Sequence, residues 1–312
     1  MQNNSFDLII IGAGPGGYVG AIRASQLGMN VACIEKRPTL GGTCLNVGCI
    51  PSKALLNTSE HFANAASGTL GKLGISLGSV ALDLKQMMQS KSDIVDTLTG
   101  GIDFLFKKNK ITRLEGSATI TGTGSVTIVD GKDKGDYKAG KIMIATGSHP
   151  SSLPGVTIDG KHIVSSTGAL SLETLPKKMV VIGAGYIGLE LGTVWARLGA
   201  EVEVIEFLPR ILPGMDAEIA KKFMTIANKQ GLKFRLSTAV KSAKAGKNGV
   251  SLTVTPANGG DEETIKADIA LVSVGRHPAT DGLGLEKIGV TMTPRGRIAV
   301  DARFETSIED IY

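Results

Sequence analysis

Two cysteines placed close together are the residues of this sequence best suited to chemistry. Cys44 and Cys49 lie five positions apart in segment 41–53, which reads GGTCLNVGCIPSK, near the predicted start of a helix. This spacing allows the two sulfurs to be bridged, so the pair could be oxidised and reduced reversibly. A zinc site is disfavoured, because zinc needs four ligands and the four histidines form no cluster in the sequence. We therefore predict a redox disulfide and no metal, with a metal site and a pair of inert buried thiols as the alternatives.

A glycine-rich turn occurs twice, and the two copies read alike when Gly12 is aligned with Gly183. In each copy an apolar strand precedes the turn, a helix follows it, and a second strand ends in an acid, Glu35 or Glu206. The acid follows the first glycine at the same distance in both copies, close to the spacing of roughly 20 residues that places a carboxylate on the 2′-hydroxyl of a bound ribose. The N–H groups of the helix start would bind the diphosphate. The repeat predicts two dinucleotide sites, one at each glycine turn.

The acid of the second copy bears on which nicotinamide cofactor binds there. A carboxylate at Glu206 would accept a hydrogen bond from the ribose hydroxyl of NAD and would repel the 2′-phosphate of NADP. The sequence therefore favours NAD. Arg210 follows four positions later and keeps NADP open as an alternative.

Length and composition limit the class of protein. A chain of 312 residues exceeds the size at which a single hydrophobic core keeps growing, so we expect two domains. The net charge of +5 is scattered along the chain, which argues against a nucleic-acid partner. No run of 18 apolar residues is present, and residues 1–7 lack the features of a secretory signal. We predict no membrane association and a cytoplasmic location.

The elements around the motifs can be predicted coarsely from periodicity and turn residues. Cys33, in the second strand of the first copy, is expected to be a small core residue. The other predicted elements are a helical stretch over 52–109, strands at 125–129 and 141–144, a linker at 150–155, and a strand with its turn at 268–276.

The segment from Cys44 to Lys53, taken with the second glycine turn and the Glu190 that follows it, resembles the dihydrolipoamide dehydrogenases. These belong to the class I pyridine nucleotide-disulfide oxidoreductases. Mercuric and glutathione reductases share the cysteine spacing, but they resemble this sequence less at Leu45, Ile50 and Ser52 and usually prefer NADP. Segments 142–148 and 273–278 also resemble the dihydrolipoamide dehydrogenases, so the resemblance extends over the whole chain.

The resemblance implies an α/β fold with two Rossmann-like dinucleotide-binding domains. An FAD-binding domain would span 1–150, an NAD-binding domain 151–272, and a return segment 273–312 would lead back to the FAD-binding or central domain. In the family a C-terminal interface domain follows. The resemblance implies that this domain is absent here, that the chain is C-terminally truncated, and that the return segment is incomplete.

The activity implied by the resemblance is that of a dihydrolipoyl dehydrogenase, which oxidises protein-bound dihydrolipoamide with NAD through a Cys44–Cys49 disulfide and FAD. Cys44 would exchange with the dithiol, and Cys49 would face the flavin as a thiolate, a form that a helix N-terminus or a nearby cation favours. Lys53 would lie near the flavin and pair with Glu190 beside the nicotinamide, whereas solvated helix charges are the alternative for both. The implied FAD-binding residues are Gly12, Gly14, Gly16, Glu35, Lys36, Lys53, Gly116, Thr146, Gly147 and Ser148. The implied NAD-binding residues are Gly183, Gly185, Gly188, Glu190, Glu206, Val240 and Gly275.

The implied partners are the lipoyl domains of 2-oxoacid dehydrogenase complexes or of the glycine cleavage system, and the full-length form would be a homodimer. None of the four histidines lies in a segment that matches the family's acid–base pair. We therefore expect the 312-residue chain to turn over dihydrolipoamide poorly, to bind FAD weakly or not at all, and to lack the family's dimer. A mercuric or glutathione-type reductase and a non-catalytic nucleotide-binding fragment are the alternatives.

Overall fold

The computed structural model, which describes residues 4–312, contains both helices and strands. The sequence test for a secretory signal rests partly on residues 1–3, which lie outside the described residues. No helix in the described range is both long and apolar enough to cross a membrane.

The helices are α1 (Pro15–Gln26), α2 (Gly42–Val47), α3 (Cys49–Ala66), α4 (Leu84–Lys108), α5 (Ser166–Ala169), α6 (Tyr186–Arg197) and α7 (Ala217–Lys229), with a 3₁₀ helix at Thr69–Leu73. The strands are β1 (Ser5–Ile11), β2 (Val31–Glu35), β3 (Thr112–Glu115), β4 (Ala118–Gly122), β5 (Ser125–Ile128), β6 (Gly135–Ile144), β7 (Ser148–Pro150), β8 (Ile163–Val164), β9 (Lys178–Ile182), β10 (Glu201–Ile205), β11 (Leu232–Arg235), β12 (Thr238–Gly246), β13 (Gly249–Pro256), β14 (Glu263–Ala267), β15 (Ile269–Val272) and β16 (Arg276–Pro278).

Contacts divide the chain into two units, each of which contains one copy of the glycine turn. The first unit comprises the described part of Met1–Cys49 together with Val95–His149 and His277–Tyr312. The second unit comprises Ile50–Ile94 and Pro150–Arg276.

This division differs from the consecutive domains expected from the sequence. Residues 50–94 belong to the second unit, because Leu55 of α3 and Met87 of α4 are buried in the same apolar cluster as Trp195 of α6. The ligand of each unit remains a prediction.

The first unit is built on a six-stranded sheet in the order β3-β2-β1-β6-β5-β4. Strands β3, β2, β1 and β6 pair in parallel, whereas β4, β5 and β6 pair antiparallel. Every residue of β2 is buried, as expected for a parallel strand covered on both faces. The prediction that Cys33 is a core residue is confirmed, and burial, assisted by the nearby Glu35, raises the pKa of its thiol.

The segment after β16 packs in the core of the first unit. Leu283, Leu285 and Val290 are buried there with Ile9 and Ile142. Further along, Ile311 pairs in parallel with Ile142 of β6. The chain thus returns to the first unit after the second one is complete.

The second unit is built on a five-stranded parallel sheet in the order β11-β10-β9-β15-β8, and it also contains the antiparallel sheet β12-β13-β14. In the five-stranded sheet and in the parallel part of the six-stranded sheet, the strand before the glycine turn lies between its sequence successor and a later strand: β1 between β2 and β6, and β9 between β10 and β15. Ligands of such sheets bind at the carboxyl ends of the strands beside this switch point. The predicted α/β class with two Rossmann-like sheets is confirmed.

The prediction of one helical stretch over 52–109 is wrong in its middle. Helix α3 ends at Ala66, and after the short 3₁₀ helix residues 75–83 are not helical. Gly68 and Gly74 adopt left-handed φ angles of 70° and 80°, a conformation that ends helices.

Candidate active site

The first glycine turn is shaped by contacts that only glycine permits. Gly12 has a φ of 102°, and a Cβ there would lie 2.4 Å from the carbonyl oxygen of Ala145, which follows β6. Gly14 precedes α1 in an extended conformation and provides no side-chain cap for the helix. A Cβ on Gly14 would have its nearest neighbour at 3.8 Å, and one on Gly16 would meet nothing within 4 Å. The turn is therefore tight at Gly12 and open above Gly14 and Gly16.

The glycine that lets the helix pack against the turn is Gly17, which the sequence prediction missed in favour of Gly16. A Cβ on Gly17 would lie 1.7 Å from the carbonyl oxygen of Gly12. In the second copy the same contact is made by Gly188, where a Cβ would lie 2.4 Å from the carbonyl oxygen of Gly183. The repeat itself could have found Gly17, since it is the position that falls on Gly188 when Gly12 is aligned with Gly183.

The second turn repeats the geometry of the first. Gly183 has a φ of 101°, and a Cβ there would lie 2.7 Å from the carbonyl oxygen of Ser273, which follows β15. Gly185 precedes α6 without a side-chain cap, and a Cβ on it would meet nothing within 4 Å. Uncapped N–H groups, a helix of 12 residues and open space at the glycines together suit a diphosphate in both turns. The residues present therefore fit two dinucleotides.

The two acids predicted to bind ribose make the same hydrogen bonds. Glu35 accepts from the backbone N–H of Ala13 at 2.9 Å and from that of Arg37 at 3.0 Å. Glu206 accepts from the N–H of Ala184 at 2.7 Å and from that of Leu208 at 2.9 Å. Each carboxylate is thereby held at the end of its strand beside the glycine turn, the place that a ribose hydroxyl would reach.

Arg210, which left the choice between NAD and NADP open, is engaged within its own loop. Its Nη2 donates to the carbonyl oxygen of Leu212 at 3.3 Å and to that of Met215. The guanidinium thus organises residues 210–215, and Glu206 is the charged group fixed against the second turn. This arrangement favours NAD.

The cysteine pair spans the junction of two helices. Cys44 lies within α2 and is partly buried, whereas Cys49 is the first residue of α3 and is exposed. Gly48 separates the helices with a φ of −144° and a ψ of −113°, and a Cβ there would lie 2.8 Å from the carbonyl oxygen of Thr43. Among the described residues, no group of three or more His, Cys, Asp or Glu side chains could hold a metal ion.

The predicted pair of Lys53 and Glu190 is present within the second unit. Lys53 Nζ donates to Glu190 Oε1 at 2.7 Å, and the side chains are 59% and 34% exposed. The buried Ser52, which the sequence did not single out for this role, donates to the other oxygen, Glu190 Oε2, at 3.0 Å. Both oxygens of this carboxylate are thus held by adjacent residues of α3.

The remaining predicted residues lie in strands or directly after them. Gly116 donates to the carbonyl oxygen of Glu35 at 3.1 Å, and its φ is 153°. Val240 lies on β12, whose first residue, Thr238, donates to the carbonyl oxygen of Glu206 at 2.9 Å. The others are Lys36, exposed directly after β2; Thr146, Gly147 and Ser148, which follow β6; and Gly275, which follows β15.

Two Rossmann-like turns and a cysteine pair that follows the first of them are features of the class of nucleotide-dependent disulfide oxidoreductases. The chain belongs to the pyridine nucleotide-disulphide oxidoreductase family, which it matches over residues 6–312. The predicted family is therefore confirmed, and FAD and NAD, the predicted cofactors, are those used by this family.

Individual relatives agree with this family. A leghemoglobin reductase of Vigna unguiculata is 54% identical over 308 residues, and the mitochondrial dihydrolipoyl dehydrogenase of Pisum sativum is 52% identical over 307. The matches cover 98% of this chain but 58% and 61% of the relatives, so the chain spans about three-fifths of their length. The Cu(II) complex of the HOCl-induced flavoprotein disulfide reductase RclA of Escherichia coli matches with a TM-score of 0.85 and 28% identity, over 99% of this chain and 65% of that one.

Proposed function

We propose that this chain carries the FAD, NAD and disulfide centres of a dihydrolipoyl dehydrogenase. The observation that carries the proposal is the packing of the cysteine segment on the first glycine turn. A Cβ on Gly42, the first residue of α2, would lie 2.4 Å from the Cα of Gly14, so the helix that bears Cys44 starts directly against the turn. Electron transfer between a Cys44–Cys49 disulfide and FAD requires the disulfide to lie close to the flavin, and the first glycine turn is the proposed FAD site.

The proposed reaction is a two-electron oxidation of a protein-bound dithiol. One thiolate of dihydrolipoamide attacks Cys44 Sγ, the Cys44–Cys49 bond breaks, and Cys49 leaves as a thiolate. The second substrate thiolate then attacks the substrate sulfur of the mixed disulfide, which releases Cys44 and closes the lipoamide ring. Bound FAD would carry the electron pair onward to NAD⁺, so the sum is dihydrolipoamide and NAD⁺ giving lipoamide, NADH and one proton.

The chain's own residues have separate proposed tasks. The first turn, Glu35, Gly116 and residues 146–148 would hold FAD, and the second turn, Glu206, Val240 and Gly275 would hold NAD. Lys53 would place a cation near the flavin, and Glu190 would orient the nicotinamide while Ser52 and Lys53 hold its carboxylate. The high identity to a dihydrolipoyl dehydrogenase supports this function over a mercuric or glutathione-type reductase.

Partners and location follow from the same proposal. The substrate would be a lipoyl domain of a 2-oxoacid dehydrogenase complex or of the glycine cleavage system, and the whole protein would form a homodimer. The cytoplasmic location stays a prediction, because the pea relative is named as mitochondrial.

The test follows the reduction of the Cys44–Cys49 disulfide by dihydrolipoamide, which can be measured on the 312-residue chain. The protein is oxidised with glutathione disulfide, exposed to dihydrolipoamide, and alkylated at timed intervals, and mass spectrometry locates the label. We expect Cys44 and Cys49 to become labelled together only after dihydrolipoamide is added. Flavin absorbance and calorimetric titration with NAD and NADP check the two cofactors on the same samples.

Three variants serve as controls for this assay. Cys44→Ser and Cys49→Ser should each form no internal disulfide, so the remaining cysteine should carry either the alkyl label or a glutathione adduct, which mass spectrometry distinguishes. Cys33→Ala should behave like the parent, because Cys33 is fully buried in β2. Labelling that does not respond to dihydrolipoamide in the parent chain would refute the proposed reaction.

A further inference from the structure

Asn46, which lies between the two cysteines, makes three side-chain hydrogen bonds in the loop that leads into α2. Its Nδ2 donates to the carbonyl oxygen of Leu40 at 3.0 Å and to that of Gly42 at 2.9 Å. Its Oδ1 accepts from Thr39 Oγ1 at 2.6 Å. The amide therefore ties the body of α2 to the residues on either side of the helix start.

Helix α2 has little else within itself to hold it. It contains six residues, and helices of this length are not stable alone because nucleation is costly. Its start is formed by Gly41 and Gly42, both with positive φ angles, and no side chain caps it. Because glycine is the most flexible residue, the direction of this helix depends on contacts from outside the backbone.

The loop that Asn46 holds also contacts the first glycine turn. The N–H of Gly41 donates to the carbonyl oxygen of Ala13 at 2.9 Å, and Gly42 packs on Gly14. Asn46 thus connects the turn to the helix that carries Cys44. Cys49 begins the next helix, beyond Gly48.

We propose that Asn46 is a positioning residue for the redox pair, which holds Cys44 within reach of Cys49 and so sets the reduction potential of their disulfide. This inference rests on the redox pair of the proposed function. A disulfide is favoured over its dithiol to the extent that the two thiols are held together, since a fixed geometry raises their effective concentration. Without the amide, α2 samples more orientations and the disulfide becomes easier to reduce.

The test measures the exchange of the protein disulfide with dithiothreitol at equilibrium. Dithiothreitol closes its own disulfide by giving up two electrons and two protons, while the Cys44–Cys49 bond breaks and its sulfurs take up the same electrons and protons. The fraction of dithiol is read by alkylation and mass spectrometry over a series of ratios of reduced to oxidised dithiothreitol. All proteins are compared at equal flavin content.

We expect Asn46→Ala to shift this equilibrium toward the dithiol by about three- to tenfold, where tenfold corresponds to about 30 mV. Thr39→Val removes only the hydroxyl that orients the amide. It should shift the disulfide–dithiol equilibrium about twofold in the same direction, because a single neutral hydrogen bond is lost. Thr39→Ser keeps the hydroxyl and should match the parent.

The matched control is Asn109→Ala. Asn109 Nδ2 also donates to the carbonyl oxygen four residues earlier, that of Leu105, at 2.8 Å, but Asn109 lies at the end of α4. A general loss of stability would lower the unfolding temperature in both alanine variants, whereas only Asn46→Ala should move the potential.

Asn46→Ala that folds like the parent and keeps the parent equilibrium would overturn the proposal. If Asn46→Ala does not fold, the decision falls to Thr39→Val, and identical equilibria for Thr39→Val, Thr39→Ser and the parent would overturn it as well. A parent chain that forms no Cys44–Cys49 disulfide would instead refute the redox pair itself, and with it this inference.

Discussion

The two glycine turns share the backbone contacts that hold them in place, but the chain segments that follow their acids differ. In both, the carbonyl oxygen of the middle alanine accepts a hydrogen bond from a residue at the same repeat position: Gly41 to Ala13 at 2.9 Å, and Leu212 to Ala184 at 3.0 Å. The correspondence between the two copies therefore extends past the acids to the next loop. Both turns use the same backbone contacts to form a dinucleotide cradle.

After that shared contact the two copies diverge. The first continues through Gly41 and Gly42 into α2, which carries Cys44. The second has Leu212 in a left-handed conformation with a φ of 48°, and its loop is held by Arg210 before Asp216 caps α7. The comparison teaches that the glycine turn is common to both copies, while the segment after the acid carries the cysteine pair only in the first copy.

The largest expected effect is at the glycine that packs helix against turn. Gly17→Ala would place a Cβ 1.7 Å from a backbone oxygen, so we expect a loss of about 3 kcal/mol or more in the free energy of unfolding. Gly188→Ala should act in the same way in the second copy, where fluorescence of Trp195, the single tryptophan, can follow unfolding.

Gly16→Ala is the matched control for that pair, because a Cβ there meets nothing and alanine is the better helix former. Its unfolding midpoint in urea, followed by circular dichroism, should equal or exceed that of the parent. Equal midpoints for Gly16→Ala and Gly17→Ala would show that the helices do not pack as the turns require.

The next effect concerns the acid of the second copy. Glu206→Ala removes a charge-assisted hydrogen bond to the ribose of NAD, so NAD binding should weaken by about 1.5–3 kcal/mol, or roughly ten- to a hundredfold. The repulsion of the 2′-phosphate is lost at the same time, so rejection of NADP should relax. Calorimetric titration of both nucleotides measures the preference, and an unchanged ratio of the two affinities would contradict the role of Glu206.

A smaller effect is expected on stability at Gly41 and Leu212, the equivalent positions at which the loops of the two copies diverge. Gly41 has a φ of 98°, and a Cβ there would lie 2.6 Å from Leu45 Cβ, so Gly41→Ala should cost about 1–3 kcal/mol of stability through backbone strain and crowding. Leu212→Gly relieves the same kind of strain but loses apolar contact, so its net change should stay within about 1 kcal/mol. Urea unfolding of both variants makes the comparison, and a larger loss for Leu212→Gly would reverse our account of the loops.

The smallest expected effect is on stability at the Lys53–Glu190 pair, which has no counterpart in the first copy, where Val19 takes the position of Glu190. Because Lys53 is 59% exposed, Lys53→Met should change the free energy of unfolding by less than about 1 kcal/mol. Thermal unfolding measures this, with Lys222→Met, at the exposed pair with Glu218 on α7, as the control. A much larger loss at Lys53 would mean that the pair is structural.

Local sequence patterns are sufficient to predict the glycine turns, the two acids and the cysteine pair. These depend on short spacings, since a tight turn, a helix start and a strand end follow one another within each copy. The buried position of Cys33 could be predicted from its apolar strand for the same reason. The predicted helical stretch over 52–109 does not contain the break between α3 and α4, because helical periodicity outweighs single glycines in so coarse a prediction, although Gly68 and Gly74 lie within it.

The sequence by itself determined the α/β class with two Rossmann-like sheets and the family, because glycine turns, helix starts and strand ends follow one another over short spacings. Only the tertiary structure decided that residues 50–94 belong with the second unit, since that depends on Leu55 and Met87 finding the same apolar core as Trp195. It also decided that Ser52 holds Glu190 and that Asn46 holds the start of α2, because a polar side chain's partner is chosen by the fold. Spacing in a sequence predicts which groups can do chemistry, whereas the hydrogen bonds that fix their positions depend on which elements pack together.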